Sequence, residues 1–145
     1  MKVETLSPEN YVHKNISGGI ITISKFEDIE AWQNARDLTK GIYEFCNEGR
    51  ASKDFGYRDQ VQRAAISVTS NIAEGFELNN NKEFVRYLKY SKGSCGEIRS
   101  LLIVASDLQY INEKKYVELS ALSIKISSQI ANFIKYLQSS NKNKN

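Results

Sequence analysis

With 145 residues, 41% of them hydrophobic and 26% charged, the chain is long enough for one domain with a core that needs neither disulfides nor a structural metal. Its net charge of +3 is too small to argue for nucleic acid by itself, so the distribution of charge matters more than its size. No run approaches membrane-spanning length and no secretory signal opens the sequence, while Cys46 and Cys95 stand far apart without metal-ligand spacing. A cytoplasmic protein with free thiols, no cofactor, no metal and no membrane partner is expected.

Residues 1–25 contain Pro8, Gly18 and Gly19 and show β character only from Ile20 to Ile23, which predicts a mobile arm with at most a transient strand. A first helix is expected from about Asp28 to Glu48, with Ile29, Trp32, Ala35, Leu38, Ile42 and Phe45 at three- and four-residue steps and Gly49 ending it. A second follows from about Gly56 to Glu74, closed by Gly75 as a C-terminal cap. Asn80 and Glu83 form a capping box for a third helix running through Leu108, interrupted by Gly93 and Gly96, which favours a close helix approach over a bend. The fourth begins near Asn112 and carries Tyr116, Leu119, Ser123, Ile126, Ile130, Phe133 and Leu137 as a heptad-like seam. Ile124, Ala131 and Ile134 lie off that seam, giving apolar surface beyond what one partner covers. Residues 139–145 read as a polar tail. Few prolines and abundant helix formers make the chain all-α, an antiparallel up-down-up-down four-helix bundle over residues 26–138.

Within the second helix, Val61, Ala64, Ala65, Val68 and Ile72 gather on one side, and Arg63, Ser67, Ser70, Asn71 and Glu74 gather on the other. Ordinary solvated helix faces carry Lys and Glu; short Ser and Asn side chains suit close contact with something polar. Arg63 and Glu74 lie three turns apart, about 16 Å, and cannot pair along a straight helix. The stripe Arg63, Ser67, Asn71 and Glu74 therefore has three readings: a subunit interface, a polar network inside the bundle, or a ligand site.

The third helix collects Lys82, Arg86, Lys89, Lys92 and Arg99 within an arc of roughly 140° opposite its apolar face. Only Glu83 and Glu97 stand among them, so this face holds an excess equal to that of the whole chain. Such a row suits phosphates along a nucleic-acid backbone, with a solvated surface as the competing reading. Tyr87 and Tyr90 stand near the flanks of this helix as candidates for stacking on bases, with Tyr87 read as core in preference and Tyr90 left open between the two. His13, the one histidine, falls in the arm, and neither a phosphate loop nor a dinucleotide fingerprint is present, so no catalytic residue is assigned. Trp32 reads as a core residue.

The segment RAAISVTSNIAEG (Arg63 to Gly75), the entry FEDIEAWQNA (Phe26 to Ala35) and the run GSCGE (Gly93 to Glu97) resemble the small four-helix bundle proteins first noticed as reading frames within intervening sequences of bacterial large-subunit ribosomal RNA. That family is also similar to the accessory variability protein of diversity-generating retroelements. The resemblance implies a ring-forming homo-oligomer, a pentamer, with a nucleic-acid role and no enzymatic activity. Thr69 stands where the family pattern has proline, so no kink is expected there, and Phe76, Glu77 and Leu78 replace a basic residue after the glycine. Together these readings make the chain a non-enzymatic, oligomeric binder of RNA or DNA. The alternative is a structural module whose partner is a protein, held by the apolar surplus of the fourth helix or the polar stripe of the second.

Overall fold

The computed structural model describes residues 12–16 and 19–142, and its framework is four long helices: α1 (Glu30–Cys46), α2 (Phe55–Glu77), α3 (Asn81–Asp107) and α4 (Glu113–Lys142). α1 packs on α2, α2 on α3, α3 on α4 and α4 back on α1, the cyclic adjacency of an up-down-up-down bundle. Short connections leave neighbouring helices no alternative to running antiparallel. The expected architecture is the observed one.

Local chemistry sets the helix starts. Asp54 caps α2 by accepting from the Tyr57 N–H at 3.1 Å, and its other oxygen accepts from the Tyr110 hydroxyl at 2.8 Å. The Tyr110 bond, followed by the backbone bond, holds the Asp54 carboxyl below the usual carboxylate range and ties the start of α2 to the α3–α4 connection. Asn80 caps α3 through the Glu83 N–H at 3.0 Å, but the Glu83 side chain turns to Arg86 instead of completing the box. Asn112 caps α4 through the Lys115 N–H at 2.8 Å.

The core is aliphatic. Leu38, Ile42, Val61, Val68, Ile72, Leu88, Ile98, Leu102, Leu119, Ile126, Ile130 and Leu137 are all but sealed from solvent, at the three- and four-residue steps the sequence shows. Ser91 is equally buried, its hydroxyl satisfied by the Val68 carbonyl at 2.8 Å across the α2–α3 seam. On α4 the seam is wider than expected, because Ile134 is buried while Tyr116 and Phe133 are only half-buried. Phe133 packs on the Phe84 ring at 5.3 Å, so α4 turns a second apolar edge towards α3.

Several expectations are corrected. Gly75 does not end the second helix, which continues to Glu77; the left-handed residue beyond it is Asn79, with φ of 53°. Gly75 is instead buried against α3. Gly93 and Gly96 make no close helix approach, since a Cβ at either would meet nothing within 4 Å and both lie exposed on an unbroken α3. Helix interiors disfavour glycine by about 0.5–1 kcal/mol relative to alanine, so Gly93→Ala and Gly96→Ala should each raise stability by about that amount in urea denaturation. Thr69 sits mid-helix, its hydroxyl returned to the Ile66 carbonyl at 2.8 Å, and α2 runs on without interruption.

Ahead of the bundle, β1 (Val12–Ile16) and β2 (Gly19–Ile23) pair antiparallel, with Val12 opposite Ile23 and Ile16 opposite Gly19. The stretch expected as an arm thus holds a hairpin longer than the single strand foreseen. Residues 1–11, 17, 18 and 143–145 lie outside the described residues. At the other end, α4 extends to Lys142, so most of the expected tail is the last turn of that helix.

Candidate nucleic-acid interface

Five cations project from α3, and the fold leaves Lys82, Arg86, Lys89, Lys92 and Arg99 all exposed. The reason is periodic: Phe84, Leu88, Ser91, Cys95, Ile98 and Leu102 turn inwards at three- and four-residue steps, and residues between those steps must turn outwards. Along the helix the row from Lys82 to Arg99 covers roughly 25 Å.

The five are not equivalent. Arg86 donates from Nε and Nη2 to one oxygen of Glu83, at 3.1 and 2.7 Å, and its guanidinium lies 5.3 Å from the Tyr87 ring centre and 5.9 Å from that of Tyr90. An i,i+3 pair of this kind is legible in the sequence, and it turns one of the expected phosphate contacts into a fixed, charge-compensated plane. Lys82, Lys89, Lys92 and Arg99 have no carboxylate within ion-pair distance among the described residues. Glu97, the other acid on this face, accepts from the neutral amide of Gln60 on α2. Lys82, Arg86 and Lys89 also border a shallow groove of about 330 Å³ that Gln138 closes from α4.

The stripe on α2 divides. Ser67 and Asn71 face α3, where the Ser94 hydroxyl donates to Ser67 Oγ at 2.9 Å and the Asn71 amide donates to Ser67 Oγ at 2.9 Å and to the Ser67 carbonyl at 2.8 Å. These three residues form a polar clasp within the bundle. Arg63 and Glu74 stay exposed at either end. Ser94 was the missing member: it belongs to the GSCGE run, but only the register of α3 against α2 reveals its partner.

A family model described as 23S rRNA-intervening sequence protein matches residues 27–132. The chain belongs to that family. The bundle is also similar to a crystal structure from Bacteroides thetaiotaomicron, described as a protein with unknown function from the S23 ribosomal protein family, with a TM-score of 0.67 and 19% identity over 72% of this chain and 95% of that one. At that identity the likeness speaks for the fold alone. No curated protein matches the chain.

In this member of the 23S rRNA-intervening sequence family, the family segments are mainly seam residues. Ser67 and Gly75 from one motif meet Ser94, Tyr87 and Phe84 on α3, and Asn71 bonds back to Ser67. Trp32, from the entry motif, is half-buried and not sealed in the core; it meets Phe26 edge-on at 5.1 Å and carries the Arg36 guanidinium at 5.1 Å. Both cysteines are sealed, and burial pushes the Cys46 thiol up to about 12 and the Cys95 thiol up to about 11. A thiolate is the reactive form. Neither cysteine should therefore react with a thiol reagent in the native protein at neutral pH, while both should label once guanidinium unfolds it. No group of three or more metal-ligating side chains occurs among the described residues, and no described helix is long and apolar enough to cross a membrane.

Proposed function

We propose that this protein is a non-enzymatic, oligomeric binder of nucleic acid, with RNA as the preferred ligand, that works in the cytoplasm and holds its ligand through the outer face of α3. The observation carrying the reading is that Lys82, Lys89, Lys92 and Arg99 share one exposed helix face and lack carboxylate partners among the described residues. Unpaired cations in a row gain most from a polyanion, because each phosphate they neutralise releases condensed counterions. The family description names a ribosomal RNA context, which supports RNA over DNA. Repetition of the row on every subunit of a ring, the pentamer of the family resemblance, would multiply a weak contact into a useful one.

Fluorescence anisotropy of a labelled structured RNA tests this, with native mass spectrometry counting subunits with and without RNA. Binding should weaken steeply as salt rises, and association should involve an oligomer. No association at micromolar protein and moderate salt would remove the reading. A second reading, a protein-interaction module, draws on Ile103, Val104 and Leu108 near the end of α3 and Val117 and Ile124 on α4, all exposed apolar side chains that the bundle does not use.

A further inference from the structure

We propose that the α3 face holds an unpaired nucleobase on Tyr90, so that its ligand class is single-stranded RNA or an RNA loop and not a continuous duplex. The inference rests on the nucleic-acid reading above and adds to it the form of the strand.

Tyr90 is the evidence. The residue is 53% exposed near the middle of a helix whose other face supplies the core, although a buried ring would contribute more to folding. What surrounds it is organised. Tyr87 meets it edge-on, with centroids 6.0 Å apart and planes at 76°, and Tyr87 is itself wedged against Gly75 of α2. Arg86 lies beside both rings and is held by two bonds to Glu83. The ring is thus braced by an aromatic edge and a fixed guanidinium, which lowers the ordering cost of stacking a ligand on it. On its other flank, one turn along, Gly93 offers bare helix surface with nothing within 4 Å of where a Cβ would stand.

Charge completes the case for a nucleotide. Lys82 and Lys89 lie about a quarter-turn round α3 from Tyr90, both exposed and without a carboxylate partner among the described residues. An aromatic shelf at the flank of a row of free cations matches a base joined to phosphates, the combination that single-strand binders use. A protein partner would have to supply several carboxylates to the same strip. A duplex satisfies the cations but not the ring, because its bases are already stacked on one another and A-form RNA presents mainly backbone and 2′-hydroxyls.

The test compares a fluorescein-labelled oligouridine with a blunt RNA duplex of equal nucleotide number, using the full chain. Tyr90→Ala should weaken oligouridine binding by roughly 5- to 150-fold, the range for loss of one base stack on an aromatic side chain. It should leave the duplex affinity and the salt slope of oligouridine binding unchanged. Tyr90→Phe should bind oligouridine within about twofold of the parent protein, since stacking uses the ring and not the hydroxyl. Oligouridine binding that depends on Lys82 and Lys89 but ignores Tyr90→Ala would overturn this inference and leave the broader reading standing, as would an equal loss for duplex and single strand. Failure of the parent protein to bind either RNA would remove both.

Discussion

Gly75→Ala should destabilise the protein by about 1–3 kcal/mol, the usual cost of forcing extra volume into a packed interior. A Cβ at Gly75 would stand 2.6 Å from the Cβ of Tyr87, 3.3 Å from Cδ1 of Phe84 and 3.4 Å from Cγ of Tyr87. The closest of these is bonded to the α3 backbone and cannot swing aside, so the helices themselves must separate. Gly41 provides the contrast: a Cβ there would come within 2.6 Å of Leu119 Cδ2, the end of a flexible side chain that can change rotamer. Gly41→Ala should therefore cost less. Denaturant unfolding by circular dichroism reads both, and for a chain of this size each kcal/mol moves the melting temperature by about 2–4 °C. A neutral or stabilising Gly75→Ala would contradict the packing of α2 on α3. Gly93→Ala, on the open face of α3, should move stability in the opposite direction.

The second large effect concerns charge. Changing Lys82, Lys89, Lys92 and Arg99 together to alanine should lower the slope of log affinity against log salt by about 3, since each phosphate contact contributes about 0.7 for a single strand and 0.9 for a duplex. At physiological salt such a change in slope corresponds to a loss on the order of a hundredfold for one subunit's contacts, and more if several subunits hold one RNA. All four residues are exposed, so the melting temperature should change little. Arg86→Ala forms an internal control. Because Glu83 already compensates its charge, this single change should leave the salt slope nearly intact while loosening the brace on Tyr90. An unaltered slope in the quadruple variant, with RNA still bound, would place the contact surface elsewhere on the bundle.

The two predictions address different seams. Gly75 sits where α2 and α3 must touch, and Tyr87, the residue it admits, is also the edge against which Tyr90 rests. Stability and the shape of the shelf are therefore linked through one side chain. A ligand on Tyr90 would in turn favour the packed arrangement, because anything that binds only the folded state stabilises it by mass action.

Much of the architecture was written in local periodicity. Apolar residues at three- and four-residue steps fix which side of each helix turns inwards, so the core of α1 to α4, the outward row of cations on α3 and the caps at Asn80 and Asn112 all follow from residues a few positions apart. The i,i+3 pairing of Glu83 with Arg86 had the same local origin. Other features belong to the register of one helix against another, which no window of sequence contains. Gly75 resembled a terminator because glycine commonly ends helices, yet here its missing Cβ makes room for Tyr87 on a partner twelve residues away along the chain. Ser67 and Asn71 formed a polar stripe of open purpose until Ser94 was found opposite them. Ile134, off the expected seam, is nevertheless buried in the bundle, whereas Ile124 stayed exposed. Amphipathic helices form from short-range spacing, so the chain alone determined four helices, their buried faces and a cationic outer row; which side chains interlock depends on where two rigid rods touch, and that was decided only when the bundle closed.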